Sequence, residues 1–411
     1  MIEGHDILCF APGPWDEIWR NRHHIMTRLA RANRVLYVEP WAYMRPTLCR
    51  LSSGRLGVSD LMRGGHLHQA FENLYVYEPP LWAPRAGHFP LSVITQVIYV
   101  GLLRGVLRRL RFHTPILWLF LPDMEVFIRH FDEELIIYHI VDEYLGYTGV
   151  SETWRPVLQR MEERLARRAD LVFVTSPTLL ERKRTLNEST FLVPNAVDYE
   201  AFSAVLDGEA QTPADVAAIP SPIVGYVGAI NDKVDMPLLA QIAQECADWS
   251  LVLVGPITLT DGEGRRALEA LYSLPNVHLL GRKCVEDVPR YIAACDVCLL
   301  PYRINEWTQS IDSLKLYEYL ACGKPVVATN VPAARRFSRV VMVAASETEF
   351  VATIDAALSE DGPALRAKRR SVAARHTWDQ RVEALSAAIG ESLTKHDGCE
   401  RSEALGKRGV K

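Results

Sequence analysis

An α/β protein of two doubly wound, parallel-sheet domains is what this sequence predicts, and three observations predict it. Short apolar runs of strand length alternate with amphipathic helical stretches along the chain. The alternation comes as two successive series, separated by a stretch with no sustained period. The 411 residues suit two or three compact units, at roughly 100–200 residues each. Such alternation implies parallel strands joined by right-handed helical crossovers.

The first series, in a domain expected over residues 1–200, has strand-like runs at Asp6 to Phe10, Arg34 to Glu39, Leu74 to Tyr77, Pro115 to Leu119, Leu135 to Ile140, Leu171 to Thr175 and Thr190 to Val193. Amphipathic segments such as Arg20 to Arg31 and Thr153 to Ala169 lie between them. Ser203 to Pro222, rich in Ala, Asp, Gly and Pro, is a linker candidate. The second series, expected over 201–375, has strands at Ile223 to Val227, Ser250 to Val254, Val277 to Leu279, Val297 to Leu300, Pro325 to Ala328 and Val340 to Val343, with helices in the gaps. A closing helix is expected within 376–394, followed by a polar tail, 395–411, expected to lack order.

Composition narrows the class. With 46 basic against 50 acidic side chains, the formal charge is -4 and the pI near 6.3. That leaves no broad basic field of the kind nucleic-acid binding needs. A content of 48% hydrophobic and 9% aromatic residues excludes disorder and a collagen repeat. The 8 cysteines are scattered through apolar stretches and not set at framework spacing, which suits a reducing compartment. Cys295 and Cys298 make a CxxC with no second CxxC or nearby His pair, so buried structural thiols are expected. His66 and His68 make an isolated HxH, expected in a loop; no metal site is predicted from either pair. Met1 to Phe10 lacks the pattern of a signal peptide. The longest apolar stretch, Phe89 to Leu107, carries Ser, Thr, Gln and Arg and falls short of a clean membrane span. The chain is therefore expected in the cytoplasm.

Ligands of open parallel sheets bind beyond the carboxyl ends of the strands, so the loops just after each run carry the information. In the second domain these are Tyr226 to Lys233, Val254 to Pro256, Gly281 to Lys283 and Pro301 to Arg303. Gly228 and Gly255 allow a ligand close to the backbone, although each alone would equally serve a tight turn. Gln309 to Val327 is the most informative segment. There Ser310 or Asp312 can cap a helix whose free N–H groups and positive dipole end make a site for a diphosphate. Lys315, one turn in, can reach the same anion, and Glu318, at i+3, can accept hydrogen bonds from ribose hydroxyls. Gly323 ends the helix. A surface Lys/Glu pair, worth roughly a few tenths of a kcal/mol, is the competing interpretation, and spacing alone favours it.

A resemblance alters that balance. The run LKLYEYLACGKPVV, Leu314 to Val327, resembles the donor-binding segment of GT-B glycosyltransferases, particularly the large retaining bacterial group 1, or family 4-like, enzymes of polysaccharide and lipid glycosylation. VPNAVD at Val193 to Asp198, with Phe202, resembles that family's interdomain signature. Arg168 to Ser176, Asn276 to Gly281 and Ala294 to Pro301 match further elements. The N-terminal part, from Trp15 through Arg22, His23 and His24 to Pro40, is similar to teichuronic-acid and exopolysaccharide transferases of the group. The resemblance implies two Rossmann-like domains facing each other across a cleft, and a UDP- or GDP-linked sugar donor as substrate with no cofactor. It further implies Lys315 on the donor diphosphate, Glu318 on the ribose, and Lys233 or Arg303 on the phosphates. One departure stands out. Relatives carry a first Glu where this chain has Ser310; Glu306 and Asp312 are the candidate substitutes.

The first domain supplies the acceptor side. Ile136 to Tyr144 is a strand running into His139, Asp142 and Glu143. By resemblance this element lies beside the donor sugar, so Asp142 is the first candidate for a catalytic or sugar-contacting group and His139 the second. In an inverting reaction Asp142 or Glu143 would deprotonate the acceptor hydroxyl. In a retaining one the donor phosphate takes that proton and the side chain positions the sugar. A core histidine and a helix cap are the structural alternatives. Gly13 and Trp15, in the loop after the first strand, are expected near the cleft; Arg22, His23 and His24 are ambiguous. Arg104, Arg108, Arg109 and Arg111, interleaved with Leu and Val, form a short basic amphipathic helix suited either to an anionic membrane surface or to packing on the sheet with its arginines solvated.

The expected function is transfer of a sugar from a nucleotide donor to a hydroxyl of a lipid-linked glycan or cell-surface precursor, with retention, by a cytoplasmic enzyme peripheral to the inner membrane face and without nucleic acid. No Asp-x-Asp occurs in the sequence, so basic side chains and a helix N-terminus, rather than a metal, are expected to neutralise the leaving diphosphate. A nucleotide-sugar epimerase of the same fold and a noncatalytic nucleotide-binding or scaffold protein are the alternatives.

Overall fold

The computed structural model describes residues 1–62, 65–87, 89–147, 151–207 and 211–408. Its first sheet has 8 strands: β1 (Asp6–Phe10), β2 (Arg34–Val38), β3 (His66–Phe71), β4 (Leu74–Glu78), β5 (Ile116–Leu119), β6 (Leu135–Ile140), β7 (Leu171–Val174) and β8 (Thr190–Leu192). Their order is β3-β4-β2-β1-β5-β6-β7-β8, parallel throughout except for the antiparallel β3–β4 pair. The second sheet has 6 parallel strands, β9 (Ile223–Val227), β10 (Ser250–Val254), β11 (Val277–Gly281), β12 (Val297–Leu300), β13 (Val326–Ala328) and β14 (Met342–Val343), in the order β11-β10-β9-β12-β13-β14. Both sheets are doubly wound.

The central strands β1, β9 and β10 are buried at every residue, because helices cover both faces of each sheet and strands in such a layer are apolar on both sides. Helices begin where the sequence provides an acceptor for free N–H groups. Ser176, Asp235 and Asp261 accept from the backbone N–H three residues on, at 3.3, 3.0 and 2.6 Å. Cys295 and Cys298 are buried free thiols, as their spacing predicted.

Three expectations are corrected. His66 and His68 lie on a strand, β3, which the sequence disguised because HLHQAF lacks the β-branched residues that usually mark one. The basic segment is no short helix: Arg104, Arg108 and Arg109 fall in the last turns of a 20-residue helix, Leu91–Leu110, and Arg111 follows it in a left-handed conformation (φ 55°). By length and composition this helix is apolar enough to cross a membrane. Tyr99, Leu103 and Leu107 nevertheless belong to the core of the first domain. The segment expected to lack order is helical as far as Arg408, since no proline interrupts it; residues 409–411 lie outside the described residues.

That last helix, Trp378–Arg408, starts in the second half of the chain and returns to the first domain. Trp378, Val382, Leu385 and Ile389 join Trp15, Ile25, Met26 and Tyr37 in one hydrophobic cluster. Trp378 stacks on His24 with centroids 5.0 Å apart, and Asp379 pairs with Arg28 at 3.1 Å. In the expected linker the structure has two helices, Tyr199–Asp207 and Ala214–Ala217.

Candidate active site

A cavity of about 830 Å³ lies where the carboxyl ends of strands from both sheets face each other. The loop after β1 contributes Trp15 and Arg20, the helix Asn21–Leu29 that follows it contributes Arg22, and the exit of β6 contributes Asp142. The second domain contributes Gly228 after β9, Gly255 after β10, Arg282 after β11, Tyr302 after β12, and Ser313 to Lys315 with Glu318. Trp15, Asp142, Gly228, Lys233, Gly255, Asp312, Lys315 and Glu318, all singled out in the sequence, line this one space.

Lys315 sits in the first turn of the helix Leu314–Ala321, whose N-terminus opens on the cavity. Its side chain is 9% exposed and crosses directly over Gly228: a Cβ built there would lie 2.5 Å from Nζ. Nζ also stands 5.3 Å from the ring centre of Tyr226. Gly228 has φ 141° and Gly255 φ 143°, and a Cβ on Gly255 would collide with the Gly228 carbonyl. Both glycines are thus required by close packing between loops. Glu318 is half-buried, one turn after Lys315 on the same face.

Burial dominates the electrostatics. It pushes the Lys315 ammonium below the usual lysine range, helped by Lys233 and Arg20 and opposed by Glu318, while Glu318 is raised. Lys233 is lowered to about 8 by burial, with Asp142 opposing the shift. Its Nζ stands 5.4 Å from the Tyr302 ring and 5.8 Å from that of Trp307. Asp142 is raised by burial, against the pull of Lys233 and a 2.8 Å hydrogen bond donated by Tyr147 Oη. Two partly desolvated lysines beside a helix N-terminus make a receptor for a compact polyanion.

Other expected residues stand elsewhere. His139 lies inside β6, fully buried, with centroids 5.1 Å from Phe120 and 5.8 Å from Trp118; neither ring nitrogen has a hydrogen-bond partner, and burial lowers it to about 3. Alternation along the strand turns it into the core. Glu143 faces away from the cavity, taking Arg182 at 3.1 Å and Lys183 at 3.4 Å. Arg303 turns out to Asp261 and Glu263, at 3.5 and 3.2 Å. Ser310 ends a short helix, Glu306–Ser310, with its hydroxyl buried outside the cavity. Gly13 does not line the cavity either. Its carbonyl accepts from Tyr37 Oη at 2.9 Å, and the groups crowding it are this chain's own Glu17 and Arg22. Asp312 is no cap: Ser313 occupies that position without a side-chain bond, while the Asp312 carboxylate accepts from Asn195 N at 2.6 Å and Arg336 Nη2 at 2.6 Å. Asn195 belongs to the VPNAVD run, so this contact ties the interdomain segment to the Lys315 helix. Arg104, Arg108 and Arg109 of the long helix, and Arg111 just after it, lie outside the cavity and are exposed.

Sequence inspection missed Arg20, Tyr147 and Arg282. Arg20 is exposed at the cavity rim and acts electrostatically on Asp142, Lys233 and Lys315. Arg282 Nη2 donates to the Asp16 carbonyl at 2.8 Å, across the cleft. The position of Arg282 just after β11 was the one available signal.

Residues 221–360 match the family model described as glycosyl transferases group 1. The chain is 28% identical over 277 residues, 64% of its length and 68% of the relative's, to a Bacillus subtilis (strain 168) protein named, provisionally, as the teichuronic acid biosynthesis glycosyltransferase TuaH. Among solved structures, HepE of Anabaena in complex with UDP and glucose is similar with a TM-score of 0.65 at 14% identity, covering 94% of this chain and 100% of that one. Sucrose-phosphate synthase of Thermosynechococcus elongatus follows with a TM-score of 0.63 at 18% identity, covering 98% and 100%.

Proposed function

For this chain, a GT-B glycosyltransferase with a group 1 domain over residues 221–360, we propose that it moves a sugar from a nucleoside-diphosphate donor to a hydroxyl of a lipid-linked glycan or cell-surface polysaccharide precursor. The carrying observation is Lys315 lying across Gly228 at a helix N-terminus, with Glu318 one turn on in the same cavity. In this scheme the diphosphate rests against the Lys315 and Lys233 ammonium groups and the free N–H groups of Leu314–Ala321, which stabilise the charge that develops as the sugar departs. Glu318 accepts hydrogen bonds from the ribose hydroxyls. Asp142, held by Tyr147, faces the donor from the first domain and positions the sugar, while the departing phosphate takes the acceptor proton and the anomeric configuration is retained. UDP and glucose bound to HepE agree with a nucleotide-sugar donor here, and the teichuronic acid relative with a cell-envelope acceptor.

The acceptor side favours lipid linkage. Along the helix Leu91–Leu110, Tyr99 and Leu103 face the core. Leu91, Ile94 and Val97 are 53%, 52% and 67% exposed, beside Phe89 at 83%. Val97, Arg104 and Arg108 share one stripe at i, i+7 and i+11. An apolar half followed by a cationic half fits a peripheral position on an anionic bilayer, with the cavity in the cytoplasm. The test of the activity is a panel of UDP- and GDP-sugars with nucleotide release as readout. Release from one donor, lost in Lys315→Ala and Glu318→Ala, is expected. No turnover with any donor, together with nucleotide binding insensitive to both changes, would overturn it, and sugar conversion without nucleotide release would indicate an epimerase.

A further inference from the structure

His66, His68 and Glu78 come together on the outer edge of the first sheet. β3 runs antiparallel to β4 with His66 opposite Glu78 and His68 opposite Val76. Side chains two apart on a strand share a face, and so do residues paired directly across a ladder, so both imidazoles and the carboxylate project on the same side. Nδ1 of His66 and Nδ1 of His68 each lie 3.9 Å from Glu78 Oε1, and the three ligand atoms all fall within 4.8 Å of one another. His68 Nδ1 is shielded from solvent and makes no hydrogen bond, which leaves a lone pair or a proton aimed at this space without a partner. Glu39, just past β2, has its backbone N–H on the Tyr77 carbonyl at 3.0 Å, which sets it beside Glu78.

We propose that His66, His68 and Glu78 bind a divalent transition-metal cation, zinc in the first instance, as a clamp between β3 and β4. Ligand atoms in a tetrahedral zinc shell at about 2.0–2.1 Å from the metal stand roughly 3.3 Å apart. The observed 3.9 Å separations close to that by small rotations of side chains at the sheet edge. Two imidazoles and one carboxylate, without sulfur, suit zinc, cobalt or nickel and not magnesium or calcium, which prefer oxygen. The fourth position falls to water or to Glu39. None of the three ligands lines the cavity, so the metal acts on architecture: it fixes an edge strand that is otherwise held on one side only. It reaches the cavity only indirectly, since Glu39 Oε1 accepts from the backbone N–H of Trp15 at 2.7 Å.

The test uses the full chain carrying Cys49→Ser, Cys284→Ser and Cys399→Ser, which removes the two thiols described as exposed and that of the terminal helix. After treatment with a chelator it is titrated with zinc against a chromophoric chelator. One equivalent is expected to bind, with affinity falling at least about ten-fold in Glu78→Gln and further in His66→Ala/His68→Ala. Zinc is expected to raise the melting temperature of the parent and not of the histidine variant. Cobalt(II) bound to the parent is expected to give ligand-field bands without a thiolate charge-transfer band, a readout that needs no variant to fold. Absence of binding, affinity unchanged by the three substitutions, or a thiolate band would each overturn the proposal. None of these outcomes depends on the glycosyltransferase reaction.

Discussion

The ammonium of Lys315 occupies the space that a side chain on Gly228 would fill, with a Cβ at that glycine only 2.5 Å from Nζ. A lysine and a glycine separated in sequence by the three strands β10, β11 and β12 are thus one structural unit: the loop after β9 is bare so that the lysine can lie across it.

Gly228→Ala is therefore expected to act through Lys315. Donor turnover should fall by about 100-fold, close to the loss in Lys315→Ala, as for removal of a single charge-stabilising donor. Because both changes disable one unit, the double variant should lose little more than either single one in a double-mutant cycle. Circular dichroism controls for folding; fully additive losses would separate the two residues.

Lys233 links pH to binding and to stability with opposite signs. Its folded value is about 8, lowered first by burial, whereas an unfolded lysine titrates near ~10.4. Between these values the unfolded chain holds the extra proton, so the Lys233 contribution makes the ligand-free protein more stable as pH rises through that window. Affinity for UDP or GDP needs the ammonium and should decline over the same range. Calorimetric titration against thermal melts from pH 7 to 10 checks both; in Lys233→Met both slopes should flatten.

Asp142→Asn is expected to lower kcat by about 100-fold or more while leaving UDP or GDP affinity within a few-fold, because the carboxylate faces the sugar and not the diphosphate in the proposed complex. Tyr147→Phe, which removes the 2.8 Å hydrogen bond to Asp142, should reproduce part of the loss. A nucleotide affinity that collapses in Asp142→Asn would place this residue in the donor-phosphate site instead.

His139→Phe should leave turnover unchanged and stabilise the fold by up to about 1 kcal/mol, since a phenyl ring fits among Phe120, Trp118 and Phe173 and removes two buried nitrogens without partners. A large loss of activity at unchanged melting temperature would return His139 to the chemistry.

Vesicle co-sedimentation probes the helix Leu91–Leu110. With anionic lipid, Arg104→Glu/Arg108→Glu should weaken binding by more than roughly 30-fold, from about 1 kcal/mol per basic residue lost, and Val97→Glu should weaken it independently of salt. Equal pelleting of all forms would remove the membrane from the proposed function.

Much of this was legible in the sequence. The parallel sheets follow from apolar runs buried on both faces, which no other layer arrangement produces so regularly. Gly228 and Gly255 could be named because ligands of parallel sheets sit just past strand ends, whereas Lys315 and Glu318 needed the resemblance of the run Leu314 to Val327, since their spacing alone favours a surface pair. Arg303, Glu143 and His139 could not be placed so easily. Each lies within three residues of a strand end, and whether it faces ligand, solvent or core depends on pairing partners far away in sequence, Asp261 for Arg303 and Lys183 for Glu143. Edge strand β3 escaped notice for a related reason: half-exposed and histidine-rich, it lacks the burial that writes a hydrophobic pattern.

The return of the last helix to the first domain has a consequence for how this protein is made. Trp378, Val382, Leu385 and Ile389 complete a core whose other members, such as Ile25 and Tyr37, leave the ribosome hundreds of residues earlier. At about 5–20 residues per second, that half-built core waits on the order of tens of seconds for its final side. The ribosome thus releases a first domain that closes last, and a chain stopped short of Trp378 would expose the apolar surface that this helix covers.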